Sequence, residues 1–87
     1  MQFWINIKAG SKNVRLLVVQ VGLNREWEIY EIKGRDRKIT VQSNRPFLRN
    51  VKNLKNVPPE WKVIDGQVKY KSYFDAAIVE IMKVVDK

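Results

Sequence analysis

The stretch VRLLVVQV, residues 14–21, decides the fold because its side chains are apolar on both faces of a strand and many are β-branched. With a period of two residues, the two faces are formed by Val14, Leu16 and Val18 and by Leu17, Val19 and Val21. A strand of this kind has neighbours on both sides in a sheet. The sequence therefore predicts a central strand at this position.

Further strands are predicted on either side of the central one. Before it, residues 2–8 alternate between apolar and polar side chains, which is the period of a half-buried strand. After it, residues 27–32 and 38–42 carry the apolar residues of a third and a fourth strand, with Gly34 between them. Connections this short favour antiparallel neighbours, so we expect a meander sheet.

The second half of the chain contributes one more strand and the clearest helix. Residues 61–64 predict a strand, and the Asp-Gly pair at 65–66 predicts a hairpin to another strand over residues 67–70. Residues 73–86 place apolar side chains at helical spacing, with Ser72 as the expected N-cap. The predicted fold is α+β, a largely antiparallel meander sheet of four to six strands with one C-terminal helix packed on one face.

One helix covers only one face of such a sheet. The second face would then expose an apolar patch formed by Trp4, Leu17 and Val19, and contiguous apolar surface usually marks an interaction site. Two covers are compatible with the sequence. One is a second copy of the chain, which would form a homodimer, and the other is the segment that follows Arg45.

Composition limits the classes of function. The 87 residues include no Cys and no His, which removes the usual ligands of zinc, haem and iron–sulfur clusters as well as Ser-His and Cys-His nucleophiles. No glycine-rich phosphate loop is present. Glu26, Glu28 and Glu31 place at most two acids on one strand face, and we expect cross-strand pairing with Arg15 or Lys8. A single non-enzymatic domain without metal or cofactor is expected.

The sequence also predicts a location. The longest uninterrupted apolar runs are four residues, whereas a membrane-spanning helix needs about 20. The start of the sequence, MQFWINIK, has no basic region followed by an apolar one, so it does not read as a secretion signal. We expect a cytoplasmic protein with no membrane span.

The net charge of +8 is concentrated in one segment. Residues 33–62 hold nine Lys and Arg against two acids, whereas the remaining two parts of the chain are close to neutral. Pairing such cations with phosphates is favourable because it releases counterions. The leading hypothesis is a small nucleic-acid-binding domain for DNA or RNA. The alternatives are a protein-interaction or homodimerisation module, a scaffold that docks on an anionic membrane, and a charge that serves solubility alone.

Two basic stretches supply the expected phosphate contacts. KGRDRK, residues 33–38, is predicted to be a hairpin tip. RPFLRNVKNLKNV, residues 45–57, is either an amphipathic helix that covers the second sheet face, with Asn44 as N-cap, or a loop, which its three asparagines favour. Phe47 and Leu54 are expected to anchor it. The predicted phosphate contacts are Arg35, Arg37, Lys38, Arg45, Arg49, Lys52 and Lys55.

Aromatic residues on the strands have two interpretations. Trp27, Tyr30 and Trp61 could stack bases on an open sheet, as in single-strand binders. However, no RNP-like motif is present, and aromatic residues on strands more often pack in the core or across strands. We therefore expect these three side chains to be core residues.

The segments VQSNRPFLRN, residues 41–50, and WKVIDGQVK, residues 61–69, resemble those of short basic bacterial proteins that have no known function. The resemblance covers about the second half of the chain. It implies a cytoplasmic bacterial domain and carries over no site residue.

Overall fold

The computed structural model of the chain describes residues 1–86, in which five strands and two α-helices occur. The strands are β1 (Gln2–Ala9), β2 (Lys12–Leu23), β3 (Glu28–Lys33), β4 (Lys38–Ser43) and β5 (Trp61–Asp65). The helices are α1 (Arg45–Asn50) and α2 (Lys71–Val85), and a 3-10 helix (Lys52–Leu54) follows α1. The strand order is β1-β2-β3-β4-β5 with every neighbouring pair antiparallel. The predicted α+β meander is therefore confirmed, with five strands.

The long strand β2 pairs with both β1 and β3, which confirms the central strand predicted from residues 14–21. Its side chains alternate between two environments. Val18 is completely buried beneath α2, whereas its neighbours Leu17 and Val19 are half-buried on the opposite face. A bulge between Gln20 and Gly22 shifts the register with β3 near the end of the strand.

The hydrophobic core lies between one face of the sheet and α2. Its buried members are Ile5, Ile7, Val18, Tyr30, Ile32, Val41, Ala77 and Ile81. Burying a large apolar side chain contributes about 1.5–3 kcal/mol, so this layer supplies most of the stabilisation. Among the strands, β1 makes the most extensive contact with α2. Neither helix in residues 1–86 has the length and apolar character needed to cross a membrane.

The start of α2 differs from the expectation. The helix begins at Lys71 with Tyr70 as N-cap, so Ser72 lies inside the first turn and its predicted capping role is wrong. The amide groups of Tyr73 and Phe74 donate to the carbonyl oxygen of Tyr70 at 3.2 and 3.3 Å. Backbone bonds therefore begin this helix without a side-chain cap.

The hairpin predicted at residues 65–66 is wrong. β5 ends at Asp65, and residues 67–70 form no strand. Gly66 does adopt a turn conformation, with φ of +88°, and a Cβ at this position would lie 2.8 Å from the carbonyl oxygen of Lys38. The glycine thus lets the chain pass close to β4, but the turn leads into α2 instead of a sixth strand.

The basic connector, residues 45–57, contains more helix than its asparagines indicated. It forms α1 and then the 3-10 helix, so the preference for a loop is wrong for its first half. Asn44 is the N-cap as predicted, yet its side chain does not cap α1. Instead, its Oδ1 accepts the N–H of Glu60 at 2.8 Å, which joins the two ends of the connector.

The connector lies on the same side of the sheet as α2, at the end of the strands. Leu48 of α1 is its buried anchor and Leu54 is half-buried, whereas Phe47 is 43% exposed, so the predicted anchoring role is wrong for Phe47. Arg45 contacts Glu28 on the core side of β3, and the end of α2 contacts Arg49. The expectation that this segment covers the second sheet face is therefore wrong.

Candidate functional site

The buried carboxylate of Glu28 organises the end of the sheet beside α1. Glu28 begins β3 and is 0% exposed. Its Oε2 accepts a hydrogen bond from Nε of Arg45 at 2.7 Å, and its Oε1 accepts bonds from Nη2 of Arg45 and from the hydroxyl of Tyr30, both at 2.8 Å. A buried carboxylate requires donors of this kind. Arg45 therefore fastens α1 to β3.

Burial and bonding in this network affect two pKa values. Burial raises the pKa of Tyr30 to about 12, and the hydrogen bond to Glu28 acts in the same direction. Hydrogen bonding to Glu28 raises the pKa of the Arg45 guanidinium above its ordinary value. Gln20 donates from Nε2 to the Tyr30 hydroxyl at 3.3 Å. At neutral pH the phenol is therefore a fixed, uncharged donor.

Arg49, one turn further along α1, is also engaged in the fold. Its Nε and Nη2 donate to Oδ1 of Asp86 at 3.2 and 2.6 Å, and its Nη1 donates to the carbonyl oxygen of Lys55 at 2.7 Å. The Nη1 of Arg45 lies 3.8 Å from the same Asp86 oxygen. These contacts tie α1 to the end of α2 and to the residues that follow the 3-10 helix.

The seven cations predicted to contact phosphate are not brought together. They form two groups at opposite ends of β4: Arg35, Arg37 and Lys38 before it, and Arg45, Arg49, Lys52 and Lys55 after it. The strand has six residues, which places about 20 Å between the groups. Phosphate contact by Arg45 and Arg49 stays a prediction, but each would first have to leave its carboxylate partner.

The other predicted contacts have more freedom. Within residues 1–86, no carboxylate lies within 4.0 Å of the charged groups of Arg35, Arg37, Lys52 or Lys55. The Nζ of Lys38 lies 3.2 Å from Oε2 of Glu31. The hairpin before β4 is closed by Gly34, whose N–H donates to the carbonyl oxygen of Arg37 at 2.8 Å, and this confirms the predicted tip.

The strand glutamates pair with other partners than those expected from the sequence. Glu31 contacts Lys33 and Lys38, at 3.8 and 3.2 Å, because these two lysines flank it on the neighbouring positions of the same hairpin. Glu28 contacts Arg45, as described above. The expected pairing of these two acids with Arg15 or Lys8 is therefore wrong.

The sheet face that points away from α2 is left uncovered by residues 1–86, and we call it the open face. Strand register assigns its side chains, because directly paired residues share a face. One row runs across β1 to β4 and consists of Trp4, Leu17, Lys33 and Lys38. Another runs across β3 to β5 and consists of Ile29, Gln42 and Lys62. Trp4 is 52% exposed on this face.

Cations predominate on the strand positions of the open face. The basic residues there are Lys8, Arg15, Lys33, Lys38 and Lys62, and the acids are Glu31 and Asp65. Only Lys33 and Lys38 have a carboxylate of residues 1–86 within 4.0 Å, and Glu31 serves both. The open face therefore has a net positive charge, together with the apolar patch predicted from the sequence.

A shallow depression on the open face brings cationic side chains together with an exposed aromatic ring. It is lined by Trp4, Arg15, Leu17, Lys33, Gly34 and Arg35. The guanidinium carbon of Arg15 lies 4.3 Å from the centroid of the Trp4 ring, which is a cation–π contact. The lining thus has three cations, one exposed indole and no acid. We call it the Trp4 depression.

A second exposed indole lies near the opposite end of the open face. Trp27 is 36% exposed and lines a narrow cleft with Gln42, Glu60 and Lys62, and the Nζ of Lys62 lies 5.8 Å from its ring centroid. Asn24 fixes the backbone here, because its Oδ1 accepts the N–H of Trp27 at 2.7 Å. The turn between β2 and β3 thus fixes the backbone from which this indole projects.

The expected core role of the three strand aromatics is confirmed for two of them. Tyr30 is completely buried, and Trp61 packs beside it with the ring centroids 5.9 Å apart. Trp27, in contrast, lies outside the core on the open face. Trp27 lies three positions before Tyr30 and so has the parity of Ile29, which belongs to the open face, whereas the alternation of β3 turns Glu28 and Tyr30 towards the core.

Sequence reasoning placed Trp4 on the second face but did not connect it with Arg15, Lys33 or Arg35. Trp4 and Arg15 lie on different strands, and they meet because β1 and β2 pair with Trp4 opposite Leu17. The register also aligns Leu17 with Lys33. A two-residue period assigns each side chain a face, but the register between strands determines which charges surround a given indole.

Comparisons with models of protein families, with curated proteins and with solved structures found no match to this chain. Within residues 1–86, no group of three or more acidic side chains is positioned to hold a metal ion.

Proposed function

We propose that this chain is a non-enzymatic nucleic-acid-binding domain and that the Trp4 depression is its principal phosphate-binding site. The observation that carries the proposal is the lining of this depression, in which Arg15, Lys33 and Arg35 surround an exposed indole without an acid. Three cations converging on one surface attract a polyanion more strongly than cations dispersed around the molecule. Of the predicted phosphate contacts, Arg35 lines this site and Lys38 is paired with Lys33 on the same face. Arg37 instead lines an apolar cavity on the α2 side of the sheet.

The proposal assigns different functions to the two basic groups of the segment from residue 33 to residue 62. On the hairpin, Lys33 and Lys38 lie on the open face and share the partly exposed Glu31. Arg35 lines the Trp4 depression and has no carboxylate of residues 1–86 within 4.0 Å. Arg45 and Arg49, in contrast, each bond to a carboxylate of the same chain. Lys52 and Lys55 are exposed but belong to the connector, on the other side of the sheet. We therefore expect the hairpin group to contribute more to phosphate binding than the connector group.

A homodimer through the open face is the second candidate, favoured by the 52% exposure of Trp4 beside half-buried Leu17 and Val19. Charge opposes it. Two copies placed face to face would bring lysines and arginines of one copy close to those of the other, and like charges across an interface cost free energy. Sedimentation at low salt should therefore give a monomer, and a dimer that Leu17→Asp dissociates without unfolding would favour the second candidate.

A salt titration of binding to short DNA and RNA tests the proposal. The affinity should fall linearly with salt concentration on logarithmic axes, because each neutralised phosphate releases counterions. Replacing Lys33 and Arg35 together by Gln should reduce the slope by about two. The charge-matched control replaces Lys52 and Lys55 by Gln, and we expect it to change the slope by much less.

Two outcomes would count against this assignment. If no nucleic acid binds more tightly than the weak background of a protein with this charge at physiological salt, the function itself is wrong. If the Lys52 and Lys55 replacement lowers the slope as much as the Lys33 and Arg35 replacement does, binding is a property of the net charge and the Trp4 depression is not its site.

A further inference from the structure

Resting on the proposed function, we propose that the open face binds a single strand, with one base stacked at Trp4 and another at Trp27. Base faces are accessible in a single strand but are covered by neighbouring base pairs in a duplex. An exposed indole offers a phosphate only one N–H donor, whereas its ring is a planar surface on which any base can stack. The two indoles on this face therefore point to a ligand whose bases are unpaired.

Each indole has a cation beside it, as a strand of alternating phosphates and bases requires. The Arg15 guanidinium lies 4.3 Å from the Trp4 ring centroid, and the Lys62 ammonium lies 5.8 Å from that of Trp27. Arg15 is itself planar and can stack on a base. At Trp4 the guanidinium lies over one face of the indole, so a base stacks on the outer face of this guanidinium or takes its place on the ring. Lys33 and Arg35 are then available for the phosphates of the strand.

The width of the open face argues against a duplex. Five strands spaced by about 4.8 Å make a surface roughly 20 Å wide. The major groove of a B-form duplex is about 12 Å wide and admits a helix or a two-stranded ribbon. The sheet cannot enter this groove, so a duplex could meet the open face only through its phosphates and would leave both indoles without a base.

The separation of the indoles sets the length of the bound strand. Trp4 is level with Leu17 of β2, and Trp27 precedes Glu28, which is paired with Leu23. Six residues along β2 and two strand spacings give a distance of roughly 22 Å. At the ~3.4 Å per nucleotide of a stacked strand this is about six nucleotides, within the ~4–16 nucleotides that single-strand-binding domains cover.

The test compares four probes of about ten nucleotides on the whole chain: a pyrimidine DNA strand, the RNA strand of the same sequence, the corresponding DNA duplex, and an abasic DNA strand with the same phosphates. We expect the base-bearing strands to bind roughly 10- to 100-fold more tightly than the abasic strand, at a similar salt slope, and to quench tryptophan fluorescence. The duplex should bind less tightly than the base-bearing strands at physiological salt, and its salt slope should be steeper because its phosphates are denser. The DNA and RNA arms decide whether the sugar matters.

Variants locate the stacked bases. Trp4→Ala and Trp27→Ala should each weaken binding of the base-bearing strand by roughly tenfold or more, without lowering the salt slope. Tyr70→Ala is the matched control, because Tyr70 is 49% exposed and has Lys69 Nζ 5.4 Å from its ring centroid, yet lies beside α2. It should bind as the unaltered chain does. Circular dichroism checks that the variants fold.

The results separate this inference from the proposed function. Equal binding of abasic, duplex and base-bearing probes would overturn the single-strand inference and leave phosphate binding in place. Binding of no probe above background would overturn both. The abasic comparison uses the unaltered chain, so it decides the question even if a tryptophan variant does not fold.

Discussion

The hairpin at residues 33–38 and the connector at residues 45–57 are both rich in cations, but the fold uses those cations differently. On the hairpin, Arg35 and Arg37 have no carboxylate of residues 1–86 within 4.0 Å. On the connector, Arg45 and Arg49 bond to Glu28 and to Asp86. A cation-rich segment can thus either present its cations to an anionic ligand or use them in ion pairs within the fold. The positions of the acidic side chains in the structure distinguish these two cases.

The largest effect should follow from replacing Arg45 with Met. Glu28 would be left as a buried charge without its main partner, which typically costs about 3–5 kcal/mol of unfolding free energy. Urea unfolding measures the loss. Lys52→Met removes one exposed cation from the same connector and should cost less than about 0.5 kcal/mol. The double variant Glu28→Gln and Arg45→Met should recover part of the stability. Equal losses in Arg45→Met and Lys52→Met would show that Arg45 does not stabilise the fold through Glu28.

The next largest effect concerns the alkaline stability of the same network. Tyr30 has a pKa of about 12 in the folded chain, whereas a tyrosine in the unfolded chain has a pKa of about 10. The unfolded state therefore loses the proton first as pH rises. The contribution of Tyr30, on the order of 3 kcal/mol, is fully present below pH 10 and is lost as pH rises from about 10 to 12.

Ultraviolet titration of the tyrosinate absorbance checks this value. One of the three tyrosines should ionise late, and Tyr30→Phe should remove that late step. The unfolding free energy of Tyr30→Phe should also vary less between pH 10 and pH 12. A late step that persists in Tyr30→Phe would assign the raised pKa to another residue.

A smaller loss is expected for Arg49→Gln. The Arg49 and Asp86 side chains are each 32% exposed, so solvent screens their contact and its contribution is about 1 kcal/mol or less. Because salt screens such pairs, the difference in unfolding free energy between Arg49→Gln and the unaltered chain should decrease in 1 M NaCl. A loss of unfolding free energy as large as that of Arg45→Met would mean that solvent exposure does not weaken the ion pair of Arg49 relative to that of Arg45.

The smallest effect on stability should come from the hairpin. Replacing Arg35 and Arg37 together by Gln removes two exposed cations and should change the unfolding free energy by less than about 0.5 kcal/mol. Thermal unfolding measures it, with Arg49→Gln as the reference from the connector. A loss above about 1 kcal/mol would show that the hairpin cations also support the fold and would remove the contrast between the two regions.

Much of the fold could be predicted because its signals are local. The alternation around Ile5 and Ile7 and the helical spacing through Ile81 each depend on a few neighbouring residues. The hairpin predicted at residues 65–66 was wrong because Asp-Gly specifies a turn but not the element that follows it. The partner of Arg45 lies 17 positions earlier in the chain, and no local pattern identifies a contact at that separation.

The candidate site was predictable only in part, for the same reason. Composition located the excess charge, and alternation placed Trp4 on the second face of the sheet. The Trp4 depression also needs Arg15 from β2 and Arg35 from the hairpin, and these residues meet through strand register. Register depends on the turns and on the whole apolar pattern at once, so it is harder to derive than the face of a single residue.

The contact between β1 and α2 has a consequence for biosynthesis. About 60 residues separate the end of β1 from the start of α2. At a translation rate of ~5–20 residues per second, α2 is therefore synthesised roughly 3–12 s after β1. During this interval Ile5 and Ile7 have no cover from α2. A nascent meander would therefore present its apolar face to chaperones or to other chains, and the emergence of α2 from the ribosome ends that exposure.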